Sequence, residues 1–266
     1  MPDEGTWVSR LGVISLSAIR FAGGVFVLGL QCIREMLRPP FYFHLFVEQM
    51  FLVGVRSFLL VAVTALATGS VMTLQFSFGL EKFGGKLYVP RIISLSFVRE
   101  MGPVFTSLLV AGRIGSGIAA EVASMKVTQQ IDAIRALGTS PIKKIVIPRL
   151  LATMVTLPLL TIFADIIGLF GGMMVAWAEA GIAPEFFYQK CIESLRPVDL
   201  ATGLLKALVF ATFIALAACY KGLNSEGGTR GVGESTTYVV VTTNIFIMVS
   251  DFFLTKLFLL TMPYVQ

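Results

Sequence analysis

The sequence predicts an all-α membrane protein of about five transmembrane helices, preceded by an N-terminal interfacial helix and carrying a cytoplasmic elbow between the second and third spans. Three observations carry this. The 266 residues are 56% apolar and only 14% charged, with mean hydropathy +0.83, whereas soluble domains carry about a quarter charged residues. Five stretches, approximately 50–79, 90–112, 150–178, 200–220 and 236–262, reach the ~20 apolar residues that cross roughly 30 Å of hydrocarbon. Between the second and third lies the most polar long segment, AGRIGSGIAAEVASMKVTQQIDAIRALGTSPIKKIVIPR, residues 111–149.

The opening MPDEG is acidic, no small-residue cleavage site follows the apolar run from Leu11, and Arg20 interrupts that run, so no signal peptide is expected. Residues 9–38 space Arg10, Arg20, Arg34 and Arg38 around short apolar runs, the pattern of a helix lying along the bilayer surface, with a short sixth span as the alternative. No repeat or low-complexity linker divides the chain, which reads as one domain over 1–266. Segment 121–149 carries Lys126, Arg135, Lys143, Lys144 and Arg149 against Glu121 and Asp132, whereas 179–199 carries Glu179, Glu185, Glu193 and Asp199 against Lys190 and Arg196. Basic excess marks cytoplasmic loops, so the first segment is inside, and five spans place the N-terminus in the cytoplasm and the C-terminus outside. The stretch KGLNSEGGTRGVGES, 221–235, then reads as a flexible inner loop whose glycines lack the GK[ST] of a phosphate loop.

Within the polar segment, Val127, Ile131 and Ile134 fall at i, i+4, i+7, and Thr128, Asp132, Arg135 and Thr139 occupy a neighbouring face, which predicts a short amphipathic helix over 121–138. Gly138 is placed for a left-handed cap, and Ser140-Pro141 for an N-cap followed by proline at the first helical position. Such an elbow suits two roles. It can rest on anionic headgroups, held by Lys143 and Lys144 at about 1 kcal/mol each, or it can fit a groove on a cytoplasmic partner and relay its movements. Periodicity leaves both open.

Other chemistry finds little material. The net charge of +5 reflects loop topology, and no nucleic-acid surface is expected. Cys32, Cys191 and Cys219 lack CxxC spacing and read as small buried residues, and His44 is the single histidine, set among the aromatics of FYFHLF, so metal sites and triads are not expected. With no Walker motif, the chain is not expected to hold ATP or Mg itself, nor to be an enzyme. Charged residues within the predicted spans include Arg56, Arg99, Glu100, Asp165, Lys206, Asp251 and Lys256. Each costs about 2.5–3.5 kcal/mol at the bilayer centre unless paired, interfacial or beside water. Arg56 lies near enough to a span end to snorkel. Arg99 and Glu100 precede the helix-breaking Gly102-Pro103 and are expected to face a central polar cavity, with Lys206 and Asp251 as counter-ions and Asp165 in a packing or polar-network role. Gly112, Gly115 and Gly117, with Ala111, Ser116, Ala119 and Ala120, suit close helix packing.

Residues 99–172 resemble the signature of the MlaE-type permeases, the membrane subunits of ABC transporters that move phospholipid in diderm bacteria: RE-GP, AGR-GS, AE, QIDA, LG--P and PR recur in order with the family spacing, and weaker similarity runs from about 45 to 262. The resemblance implies that the elbow, 121–146, is a coupling helix seated in an ATPase subunit, with Glu121, Lys126, Thr128, Asp132 and Arg135 at that contact. It implies a lipid cavity at a homodimer axis bounded by Arg99, Glu100, Lys206 and Asp251, where a headgroup phosphate meets Arg99 and acyl chains meet Leu74, Phe76, Phe78 and Leu80. The partners implied are a second copy, two ABC ATPases that bind the ATP and Mg, a hexameric periplasmic MCE-domain protein, a small STAS-like regulator on the ATPase, and phospholipid, in the bacterial inner membrane. Family members often have Gly near Ala123 and Glu at Gln129, so the charge pattern offered to the ATPase is altered here. Two other classes compete: an ion-coupled secondary transporter using Glu100 and Asp251, disfavoured by the odd span count and the lack of inverted repeats, and an intramembrane enzyme, which lacks a clustered nucleophile and base.

Overall fold

The computed structural model describes residues 7–37, 39 and 42–261, and every regular element among them is helical. The MPDEG stretch, Arg38 and the last residue of the fifth predicted span lie outside the described residues. The chain order is α1 (Trp7–Met36), α2 (Phe43–Met50), α3 (Arg56–Glu81), α4 (Val89–Ser96), α5 (Gly102–Val110), α6 (Ser116–Val127), α7 (Gln130–Ala136), α8 (Ile147–Ala178), α9 (Pro184–Ser194), α10 (Pro197–Leu223) and α11 (Gly228–Thr261). Wide π-helical turns at Phe51–Val55, Phe97–Met101, Ala111–Gly115 and Ile142–Val146 splice α2 to α3, α4 to α5, α5 to α6, and the elbow to α8. Prolines sit in the first turns of α8, α9 and α10, where a missing N–H costs nothing.

Among the described residues six helices, not five, are long and apolar enough to cross a membrane: Ser15–Met36, Phe43–Glu81, Lys86–Val127, Ile142–Ala178, Pro197–Leu223 and Gly228–Thr261. The added one is α1, whose basic residues are far enough apart to leave an uninterrupted 30-residue helix. Its packing nevertheless keeps part of the interfacial expectation. The stripe Phe21, Val25, Leu28, Cys32 is buried against Ile118 to Val122 of α6, Ile145 to Leu150 at the base of α8, and Ala215 to Cys219 of α10, all at the elbow end of the bundle. Gly24 lies under the Tyr220 ring and Gly29 against Leu216, so α1 crosses α10 within about one turn.

The bundle is built outward from α8. α3 packs along one side of it and α10 along another, with α6 and α11 against α10. α3 buries Ser57, Val61, Ala65, Gly69, Thr73 and Ser77, an every-fourth-residue stripe of mostly small side chains. Backbones therefore meet directly: a Cβ on Gly69 would strike the Gly168 carbonyl, and one on Gly171 the Leu66 carbonyl. With no water to squeeze out between helices in lipid, this close fit is what holds α3 to α8. Gly69→Val is accordingly expected to part the two helices and lower the detergent melting temperature, while Gly79→Val, in open space, leaves it unchanged. Of the glycines predicted to pack, Gly115 does so among the described residues, against Ile214 and Val239, whereas Gly112 and Gly117 have nothing within 4 Å of a Cβ there.

The segment 221–235 is a correction. α10 continues to Leu223 and α11 begins at Gly228, so only four residues connect two long helices. Its glycines close a tight turn: Gly227 and Gly228 take positive φ (88° and 66°), Gly231 lies against the Glu226 carbonyl, and the Ser225 and Ser235 hydroxyls meet at 3.2 Å. Outside the spans, α9 buries Phe187 and Cys191 against Val89, Ile93 and Ala176; burial pushes the Cys191 thiol up to about 11.

Candidate functional site: an intramembrane ion cluster and a helical elbow

Pro103 has no N–H to give to the Arg99 carbonyl four residues back, and the preceding turn, Phe97–Met101, widens into π geometry. Lys206, from α10, supplies the missing donor: its ammonium reaches the Arg99 carbonyl oxygen at 3.2 Å. The same ammonium donates to Glu100 Oε2 at 2.5 Å and Thr255 Oγ1 at 2.7 Å, and pairs with Asp251 Oδ1 at 2.9 Å. Its side chain is only 2% exposed. A buried ammonium is tolerated in lipid when its protons are all spent in this way. Thr255 sits one turn beyond Asp251, donates to the Asp251 carbonyl oxygen at 2.8 Å, and lies 3.2 Å from Glu100 Oε1.

Arg99 turns to a different partner. Its Nε donates to Asp199 Oδ1 at 2.7 Å, and a terminal nitrogen lies 2.6 Å from the same oxygen. Asp199 is fully buried, and its Oδ2 accepts the Arg196 N–H at 2.8 Å, capping the start of α10. Sequence reading had counted Asp199 only as loop charge. The signal was present in Arg196-Pro197-Val198-Asp199, a proline at the first helical position with an acid two residues on.

The structure thus brings together Arg99, Glu100, Lys206 and Asp251, adds Asp199 and Thr255, and leaves a cleft of about 40 Å³ between Arg99, Glu100, Thr202 and Lys206 on one side and Phe258 and Leu259 on the other. Leu74 and Phe78 do not line it. They ride on α3, and Phe78 is exposed on the outside of the bundle. Asp165 stays apart from the Lys206 network: it is buried on α8 against Gly102, and its Oδ1 has no hydrogen-bond partner among the described residues. Arg56 and Lys256 are exposed on α3 and α11.

The elbow forms in two pieces, not one. α6 stops at Val127, Gln129 takes a left-handed conformation (φ 59°), and α7 restarts at Gln130. The break swings Val127 outward while Ile131 is buried against Ile145, Val146, Ile147 and Leu150. The end of α7 follows the sequence expectation: Gly138 has φ 72°, its N–H bonds to the Arg135 carbonyl at 2.9 Å, and Thr139 N–H reaches Ile134 O at 3.2 Å, a Schellman closure. Of the residues assigned to a partner contact, Asp132 is held between Lys126 at 3.3 Å and Arg135 at 3.4 Å, and all three stay at least one-third exposed. Thr128 is exposed, with its hydroxyl returned to the Ser124 carbonyl at 2.8 Å. Glu121 instead ties α6 to α8 through Arg149 at 2.7 Å. Beside Arg135 a cleft of about 510 Å³ opens between α1, the elbow and the end of α10.

Residues 46–257 match the family described as Permease MlaE. The chain belongs to that family. It is 37% identical over 249 residues to a protein of Rickettsia prowazekii named "Probable ABC transporter permease protein", covering 92% of this chain and 96% of that one. A Synechocystis protein of the same description is 39% identical over 210 residues, 79% of this chain and 80% of that one. The "Intermembrane phospholipid transport system permease protein MlaE" of Haemophilus influenzae is 30% identical over 254 residues, 94% and 97% of the two chains. An MlaE-type ABC transporter permease is therefore the frame for these features: a multi-pass helical bundle, an elbow at one end, and charged groups held within it.

Proposed function

We propose that this chain is the membrane subunit of an ATP-driven phospholipid transporter of the bacterial inner membrane. It works as a homodimer with two ABC ATPases, and a hexameric MCE-domain protein on the far side carries lipid onward. The observation that carries this reading is the juxtaposition, in one chain of the MlaE family, of a polar elbow and an intramembrane ion cluster joined by the continuous run Lys86–Val127. Lipid sits beside Arg99, Glu100, Lys206 and Asp251, and the elbow faces the cytoplasm and docks on the ATPase through Lys126, Thr128, Asp132 and Arg135. ATP and Mg are held by that partner, with a STAS-like regulator on it. Nucleotide-driven approach of the two ATPases draws the elbows together and changes the shape of the lipid site between the two copies. The H. influenzae relative's name, a phospholipid transport permease, supports the substrate; the relatives named as ABC transporter permeases support ATP over an ion gradient as the energy source.

The double substitution Asp132→Lys with Arg135→Glu is expected to release the ATPase on affinity purification, while the permease remains folded and membrane-inserted. It reverses the exposed charges of α7 and leaves Ile131, the residue that anchors it, in place. Full ATPase retention in that variant would remove the elbow from the interface.

A further inference from the structure

We infer that the cleft between the first half of α1 and the joined ends of α10 and α11 is a second lipid site, which takes the headgroup phosphate of an anionic phospholipid from the cytoplasmic leaflet. This rests on the membrane-subunit reading above for the side of the membrane, and the site lies outside the ion cluster. The cleft measures about 610 Å³, and its walls include Leu16, Arg20 and Phe21 of α1, Tyr220 and Lys221 of α10, and Tyr238 of α11. It belongs to the elbow end of the bundle: the neighbouring cleft, which shares Tyr220 and Asn224 with it, is closed by Arg135, Ser140 and Pro141.

Three observations select the occupant. From Phe21 onward α1 buries about one residue per turn, but Ser15 to Arg20 are all exposed, so the described chain leaves the space beside them open. Arg20 and Lys221 both line that space, and neither has an ion-pair partner among the described residues. Of the acids near the α10–α11 turn, Glu234 is held by Arg230 at 2.9 Å, and neither it nor Glu226 lines the cleft. The third observation is aromatic. Phe21 packs edge-on against Tyr220 and Tyr238 at 5.6 and 5.2 Å, and the Lys221 ammonium stands 4.6 Å from the centre of the Tyr238 ring. That contact holds the lysine at the cleft without neutralising it, and tyrosines favour the depth where headgroups meet acyl chains.

Basic residues between helices on the cytoplasmic side suit anionic headgroups. A zwitterionic headgroup would bring its own ammonium against Arg20 and Lys221, with no carboxylate in the walls to receive it. A lipid fits better than a soluble anion because Leu16 and Ile19, both more than half exposed, offer acyl chains an apolar surface on the same stretch of α1. The bound headgroup would tie the free half of α1 to α10 and α11.

The test uses the full chain, purified with whatever ATPase it retains and placed in phosphatidylcholine nanodiscs with a trace of phosphatidylglycerol carrying a diazirine on its headgroup. Adducts formed on illumination are located by mass spectrometry. They are expected on residues 12–21 and 220–238; adducts confined to other segments would overturn the site, and this arm needs no variant. Unlabelled phosphatidylglycerol is expected to displace the probe, and added phosphatidylcholine is not. Displacement by phosphatidylcholine to the same degree would overturn the anionic class, and displacement by inorganic phosphate would make the occupant a soluble anion. Arg20→Gln with Lys221→Gln is expected to lower labelling about thirtyfold, the worth of two basic residues at an anionic surface. Arg34→Gln with Lys144→Gln, which removes two exposed cations outside the cleft, is expected to leave labelling unchanged; an equal loss there would reduce the effect to diffuse surface attraction. ATPase retention, scored on the same preparation, keeps the two readings apart. With the ATPase bound and the cleft unlabelled this inference alone fails, whereas a chain that retains no ATPase counts against the permease reading whatever the labelling.

Discussion

Lys206→Met is expected to be the most damaging single substitution in the bundle. It removes the one ammonium that separates the carboxylates of Glu100 and Asp251, and breaking a buried pair from one side costs about 3–5 kcal/mol because a charge is left unpaired. It also strips the donor from the Arg99 carbonyl that Pro103 cannot satisfy. Thermal unfolding of the purified permease in detergent should show a marked loss. The combination Lys206→Met, Glu100→Gln, Asp251→Asn should recover most of it, since neutral side chains need no counter-ion. A triple variant as unstable as the single one would mean that shape, not charge, makes Lys206 indispensable.

Glu121→Lys is expected to separate ATP hydrolysis from lipid movement. Arg149 is buried at the base of α8, donates to the Ile145 carbonyl at 2.8 Å, and holds Glu121 at 2.7 Å across the elbow. A lysine at 121 sets cation against cation and pries α6 from α8 without touching Asp132 or Arg135 on α7. Loss of such a bridge costs about 2 kcal/mol, near the low end for hydrogen-bonded charge pairs because Glu121 is 52% exposed. In the reconstituted complex, ATPase retention should persist while lipid transferred per ATP falls at least severalfold, with Glu121→Gln between the two. An unchanged ratio would show that the bridge is not part of the relay.

Much of this architecture is legible in the residue order because lipid imposes a simple rule: about 20 apolar residues per crossing. The same holds for the elbow's exit, where Gly138 and Pro141 have conformational preferences strong enough to act locally. What escaped depends on neighbours distant in sequence. Gln129 adopts the left-handed region without being glycine, a strain that Ile131 burial compensates. The glycines of 227–233 look like a hinge to local propensity, yet the turn ends at Gly227 and a 34-residue helix starts at Gly228, with Gly231 packed against the Glu226 carbonyl. The charged residues Arg99, Glu100, Lys206 and Asp251 of the ion cluster were visible as misfits in apolar runs, whereas Asp199 sat just outside a predicted span and Thr255 carried no charge to draw notice. The bridge from Glu121 to Arg149, 28 residues on, likewise carries no local signal.

The run from Lys86 to Val127 has two wide turns, at Phe97–Met101 and Ala111–Gly115. Each inserts extra backbone into a rod that would otherwise be stiff, and the second lies roughly midway between Glu100 and the elbow. At that midpoint Gly115 rests its bare backbone on Ile214 and Val239. If two copies are drawn together at the elbows, as proposed above, the stretch near residue 115 is where the run would bend, and displacement of the elbow would reach the ionic cleft as a change of tilt.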